Sequence, residues 1–129
     1  MIGTYILQVE ITEDLILSIG KIGSLRFKKG FYYYFGSAMS STGSITLLNR
    51  VKRHLRKPSE KKKFWHIDYL LESENTKIRK IILVPCKTRL ECNLANFFSE
   101  IADDLVPSFG CSDCKCKSHL LYFEKPNLY

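Results

Sequence analysis

Apolar and polar residues alternate from Gly3 to Ile11, with Tyr5, Leu7, Val9 and Ile11 on one face, as in a half-buried strand. Leu15 to Ile19 is a second strand candidate. Gly20-Lys21-Ile22-Gly23 marks a turn, and Leu25 to Phe27 forms a weaker third strand. Phe31 to Phe35 is a run of five aromatics between Gly30 and Gly36, which suits a strand. Gly36 to Gly43 is rich in small residues and predicts a loop. Ser44 then suits the N-cap of a helix with Ile45, Leu48, Val51 and Leu55 on its apolar stripe, and Pro58 lies past its end. Trp65 to Leu71 predicts a short helix, and Lys77 to Val84 a strand stopped by Pro85. Thr88 suits the cap of a further helix with Leu90, Leu94, Phe97, Phe98, Ile101 and Leu105 inward. Pro107 to Ser118 is irregular, and His119 to Phe123 is a last strand. This order predicts an α+β fold, a small mixed sheet with helices packed on it.

At 129 residues the chain is sized for one domain, 1–129, able to bury about two-thirds of its unfolded surface. A composition 45% hydrophobic and 26% charged excludes global disorder and coiled coil. No apolar run approaches the roughly 20 residues that cross a bilayer. The N-terminus, MIGTYILQVEITED, lacks a basic region ahead of an apolar stretch, so no signal peptide is expected. A soluble, cytoplasmic protein is the expectation.

Charge sharpens the picture. Arg50 to Lys63 (RVKRHLRKPSEKKK) holds eight of the 20 Lys and Arg and one of the 13 Asp and Glu. The rest of the chain balances, so the whole net charge of +7 sits in this segment. A localised basic patch is the footprint of a phosphate-bearing partner, nucleic acid ahead of anionic membrane. The bland alternative is a solvated helix end followed by a Lys-rich loop.

Hydrolysis of a phosphodiester needs a fixed cation for the phosphoryl oxygens, an acid holding a divalent ion, and a base within reach of water. Arg50 and His54, four apart on one helix, share a face beside its apolar stripe. Glu91 begins a helix in line with Leu94, Ala95 and Phe98. There an acid is either a first-turn helix partner or a paired or metal-binding group. Tyr32 and Tyr34 share one strand face; each serves as core filler or presents its hydroxyl to a cleft. His66 and Asp68 are candidate cleft residues, though on a helix they diverge by roughly 200°, and Asp68 could instead serve the N-terminal amides. Trp65 or Tyr69 could stack on an unpaired base. Cys111, Cys114, Cys116 and His119 combine C-x2-C spacing with an imidazole. Zinc, a disulfide, or thiols in a tight polar turn all fit. With Cys86 and Cys92 the cysteines number five, which excludes complete pairing within the chain.

These residues carry a resemblance. Gly3-Thr4-Tyr5 resembles the first half, and Tyr34-Phe35-Gly36 the second half, of the motif of the GIY-YIG endonucleases. Leu47-Leu48-Asn49-Arg50 and Arg53-His54-Leu55 are similar to that family's following helix. Glu91 matches its metal-binding Glu by order and context. The strings FYYYFGSA, RVKRHLRK, WHIDYLL, LECNLA and FGCSDCKCKSHLLYF resemble a branch known as a domain of unknown function, found alone or fused to an endonuclease III-type repair enzyme. The resemblance implies a three-stranded antiparallel sheet flanked by helices. It implies that Tyr5 and Tyr34 stand near the attacking water and Arg50 holds the phosphate. Glu91 would bind Mg²⁺ or Mn²⁺, and His54 would assist the phosphate or the base.

The sequence departs from the pattern in that 28 residues, Ile6 to Tyr33, separate the motif halves, so an inserted hairpin must fill Glu10 to Gly30. The expected function is a DNA endonuclease, with RNA as an alternative substrate and a DNA-repair glycosylase as a candidate partner. Lys52, Arg53, Arg56, Lys57, Lys61, Lys62 and Lys63 would bind the nucleic acid. The alternatives are a non-catalytic nucleic-acid-binding module and a zinc-stabilised scaffold for a repair partner.

Overall fold

The computed structural model describes residues 2–39, 46–56, 63, 65–111 and 116–126. Strand β1 (Gly3–Ile11) leads into a hairpin of β2 (Leu15–Ile19) and β3 (Gly23–Phe27), joined by a single 3₁₀ turn. Then come β4 (Gly30–Ala38), helices α1 (Leu47–Leu55) and α2 (His66–Leu71), β5 (Thr76–Pro85), α3 (Glu91–Ser99), β6 (Asp104–Leu105) and β7 (Leu120–Phe123). The main sheet has the order β5-β1-β4-β7-β6, with β2-β3 a separate ribbon. Every pairing is antiparallel. The fold is α+β as expected, but the sheet is five-stranded rather than three-stranded, and antiparallel rather than mixed. The C-terminal strand β7 pairs with β4 over Phe31–Phe123 to Tyr34–Leu120, and the two-residue β6 adds to its far edge. The hairpin expected between Glu10 and Gly30 is β2-β3.

Both faces of the sheet are covered. On one, Tyr5, Leu7, Val9, Ile11, Tyr32 and Tyr34 pack with Leu47 and Val51 of α1, Ile67 and Leu70 of α2, and Phe27 of the hairpin. On the other, Ile6, Tyr33, Phe35, Leu121 and Phe123 pack with Ala95, flanked by Leu94 and Phe98 of α3. The alternation in β1 therefore marks two buried faces, not one. Gln8, on the second face, is satisfied there by donating from Nε2 to Tyr33 Oη at 2.9 Å.

The helices correct several expectations. The expected cap Ser44 and the stripe residue Ile45 lie outside the described residues, and Thr46 caps α1, accepting from the Asn49 backbone N–H at 3.2 Å. The buried residues of α1 are Leu47, Val51 and His54, whereas Leu48 and Leu55 are exposed. Val51 is inward as expected, while Leu47 and His54 take the inward places expected of Leu48 and Leu55. Thr88 does not cap α3; its N-cap is Leu90, without a side-chain bond. Phe97 is exposed because α3 packs through Leu94, Ala95 and Phe98, and the helix ends at Ser99, so that Ile101 is exposed beyond it and Leu105 belongs to β6. Gly36 to Ala38, expected in a loop, extend β4. Among the described residues no helix is long and apolar enough to cross a membrane.

Candidate functional site

The register of the two central strands sets the site. Tyr5 on β1 lies opposite Gly36 on β4. A Cβ at Gly36 would collide with the Tyr5 ring, so this position requires glycine for space rather than for backbone freedom. Gly36→Ala is expected to cost about 1–3 kcal/mol, the range for overpacking a core, and to push Tyr5 from its place. Urea unfolding of the variant checks the first effect; an unchanged midpoint would mean that the ring shifts freely.

The Tyr5 hydroxyl lies 2.7 Å from Nε2 of His54 on α1. His54 is buried behind Tyr5, its ring 5.3 Å from the Tyr5 ring and 6.2 Å from that of Tyr34. Burial raises the Tyr5 hydroxyl well above its ordinary pKa, with Arg50 acting in the opposite direction. Tyr34 is raised in the same way and also mainly by burial. Both phenols therefore stay protonated at neutral pH.

One turn before His54, Arg50 donates from Nη1 to the Ser37 carbonyl oxygen at 2.9 Å. Its guanidinium lies 5.0 Å from the Trp65 ring centroid, a cation–π contact. These two contacts fix the plane of the guanidinium. From the opposite side, α3 presents Glu91. Its side chain is 14% exposed, Oε1 is 3.7 Å from Arg89 Nη1, and Oε2 is buried without a hydrogen-bond partner among the described residues. A carboxylate oxygen in that state is costly unless a cation meets it.

Tyr5, Tyr34, Arg50 and Glu91 line one pocket of about 410 Å³. Trp65, Arg89, Cys92 and His119 share its wall. The pocket thus gathers two phenols, two guanidiniums and a carboxylate, a set suited to an anion together with a cation. His54 reaches it only through Tyr5.

The other candidates fall in different places. Asp68 has a fully buried side chain, held bidentately by Arg53 Nη1 and Nη2 at 2.9 Å each. Its Oδ2 also accepts the Trp65 backbone N–H at 2.8 Å and so caps α2. His66 is turned toward the loop before the cysteines, where Nδ1 accepts the Gly110 N–H at 2.7 Å. Neither residue lines the pocket. Burial lowers the His66 pKa from 6.5. The unfolded chain therefore takes up this proton first as pH falls, so the His66 contribution to stability is present above about pH 6.5 and lost below it. The drop in melting temperature between pH 8 and pH 5 should be smaller in His66→Gln than in wild type; equal drops would exclude His66 as a source.

In the basic segment, Lys52 is exposed on α1 and Arg56 is exposed at its C-cap. Arg53 is committed to Asp68. Lys63 pairs with Glu72 at 3.1 Å and stands 5.1 Å from the Tyr69 ring centroid. Lys57, Lys61 and Lys62 lie outside the described residues.

The cysteines form a cluster that spacing alone did not predict. Cys92 Sγ on α3 lies 2.9 Å from Cys116 Sγ and 3.2 Å from His119 Nε2. The ligand atoms of Cys92, Cys116 and His119 all lie within 4.8 Å of one another and could hold a metal ion. Cys111 Sγ is 3.6 Å from Cys116 Sγ, and Cys114 lies outside the described residues. Of the set expected from Cys111 to His119, only Cys116 and His119 belong to this group among the described residues, and from α3 they are joined by Cys92. Its signal in the sequence was the odd cysteine count and its position beside Glu91. Arg89, two residues before Glu91, is a second pocket residue that sequence reasoning missed.

A protein-family model described as "Domain of unknown function DUF123" matches residues 4–128, and the chain belongs to that family. Neither a curated protein nor a solved structure matches the chain.

Proposed function

We propose that this DUF123 chain is a metal-dependent endonuclease of the GIY-YIG type, hydrolysing phosphodiester bonds of DNA, with RNA as the alternative substrate. One observation carries the reading. Tyr5, Tyr34, Arg50 and Glu91, from β1, β4, α1 and α3, meet at a single pocket, with a buried Glu91 oxygen aimed at no protein donor among the described residues. The sequence resemblance arrived at these four residues independently of that pocket.

A lone, largely buried carboxylate fits a hard divalent ion such as Mg²⁺ or Mn²⁺. The ion, when bound, supplies Lewis acidity toward the phosphate and the leaving oxygen. The side chains do the remaining work. Arg50, held by Ser37 and Trp65, offers a planar donor to the charge that gathers on the phosphoryl oxygens. Tyr5 accepts a proton from the attacking water and passes its own to His54 Nε2, 2.7 Å away, so a buried phenolate need not persist. Tyr34, kept protonated, donates its hydroxyl to the phosphate or the water. Lys52 and Arg56 extend the positive surface along α1, and Lys57, Lys61 and Lys62 extend it in sequence. Such binding weakens steeply with salt. The resemblance adds a role in DNA repair and a repair glycosylase as partner.

The test is cleavage of labelled duplex, single-stranded and branched DNA and RNA, with Mg²⁺ or Mn²⁺ against EDTA, running Glu91→Gln beside wild type. Products that require metal and vanish in the variant support the reading. Equal cleavage by both proteins would remove Glu91 from the site. Salt-sensitive binding without products would identify a non-catalytic nucleic-acid-binding module.

A further inference from the structure

We propose that Cys92, Cys116 and His119 bind one Zn²⁺ that bolts the start of α3 to the segment leading into β7. The proposal does not rest on the nuclease reading. Two thiols and an imidazole are ligands for a borderline ion, not for the oxygen-seeking Mg²⁺ or Ca²⁺. Ligands on a tetrahedral zinc, with Zn–S of about 2.3 Å, stand roughly 3.5–3.8 Å apart. Cys92 to His119, at 3.2 Å, is close to that spacing. Cys92 to Cys116, at 2.9 Å, must open by less than about 1 Å, within reach of a small side-chain rotation. The same 2.9 Å is well beyond a disulfide bond of about 2.05 Å. Cys111, 3.6 Å from Cys116, stands beside the cluster at the ligand–ligand spacing.

The ligands are also held in place before any ion arrives. His119 is fixed through both backbone groups: its carbonyl accepts the Phe35 N–H at 2.9 Å, and its N–H donates to the Phe109 carbonyl at 2.8 Å. Gly110 permits the approach, with φ of +75° and a hypothetical Cβ only 2.9 Å from the His119 Cβ. Cys92 rides on α3, which is anchored by Ala95 in the core and by Phe98 stacked on Phe35. Preorganisation of this kind lowers the cost of binding. Cys92 follows Glu91 in the chain, and both Cys92 and His119 line the pocket. An ion here would therefore hold two of its walls together across 27 residues of sequence.

The first experiment is metal analysis of the protein purified under reducing conditions without added metal, with one zinc per chain expected. Replacement of zinc by Co²⁺ in wild type should give the strong visible bands of tetrahedral cobalt and the near-ultraviolet charge transfer of thiolate ligands. That readout needs no variant to fold. Cys92→Ser should weaken zinc binding by about 100-fold or more, exceeding the usual effect of outer-shell changes. Cys86→Ser, whose sulfur lies by Thr4 instead, should bind zinc normally. Glu91→Gln should also keep its zinc, so the fate of this site and that of the nuclease reading are separable. A wild-type chain that takes up neither zinc nor cobalt, or a Cys92→Ser variant of unchanged affinity, overturns the proposal. So does a Cys92–Cys116 disulfide in the freshly purified protein.

Discussion

Glu91→Gln is expected to lower the rate of phosphodiester cleavage by about 10²–10³-fold, the range for loss of one preorganised electrostatic contact. The substitution keeps the shape of the side chain and removes the charge that would hold a divalent ion. Stability should hold or rise, because a neutral amide is cheaper to bury than a carboxylate whose Oε2 has no hydrogen-bond partner among the described residues. Arg50→Ala should lose a similar factor in rate, since its guanidinium is oriented by Ser37 and Trp65. Single-turnover kinetics over a series of Mn²⁺ concentrations separates the two variants. Raising Mn²⁺ should partly restore a chain with weakened metal affinity and should do nothing for Arg50→Ala. Full activity in Glu91→Gln would show that the pocket's acid is structural only.

The second large effect concerns stability. Asp68→Asn should destabilise the fold by about 3 kcal/mol, the lower end of the cost of breaking a buried ion pair from one side. The lower end applies because the Arg53 side chain keeps 24% of its exposure while that of Asp68 keeps none. In a chain of this size that corresponds to a fall of roughly 10 °C in melting temperature. Asp68 also accepts the Trp65 N–H, so the variant weakens the cap of α2 and the hold of α2 on α1, the helix that carries Arg50 and His54. Arg53→Ala should destabilise similarly and hardly change the salt dependence of nucleic-acid binding. Lys52→Ala and Arg56→Ala should leave the melting temperature alone. Each should lower the slope of log affinity against log salt by about one. A melting temperature unaltered in Asp68→Asn would show that water already satisfies the pair.

The strands and helices were legible because their signals are local. Alternation in Gly3–Ile11, the aromatic run in Gly30–Ala38 and the apolar repeat around Val51 reflect strand and helix periods that a few neighbouring residues suffice to display. The inward register of α1 was not legible. His54 counts as polar in any pattern, yet it is buried because Tyr5, 49 positions earlier, supplies its partner. Leu55, apolar by pattern, is left outside. The inward face of α3 was also not fully legible: Phe98 stacks on Phe35 while its neighbour Phe97 is exposed, and Ile101 lies beyond the end of the helix at Ser99. For the site, Tyr5, Tyr34, Arg50 and Glu91 could be named from motif and order. That Arg53 pairs with Asp68 could not, because a charge run does not show which of its members meet a buried acid.

By itself the sequence determined the number and type of most elements, the localisation of all net charge between Arg50 and Lys63, and the residues from which a phosphodiester site could be built. Tertiary structure alone decided which of them meet. It brought β7 against β4 to make five strands, put α3 and α1 on opposite faces of the sheet with Glu91 and Arg50 reaching one pocket, and set Cys92 beside Cys116 and His119. Contacts across 24 to 86 residues depend on the closure of long loops and on the fit of whole faces. No window of neighbouring residues carries that information, because the free energy that selects those contacts is gained only when the whole core packs.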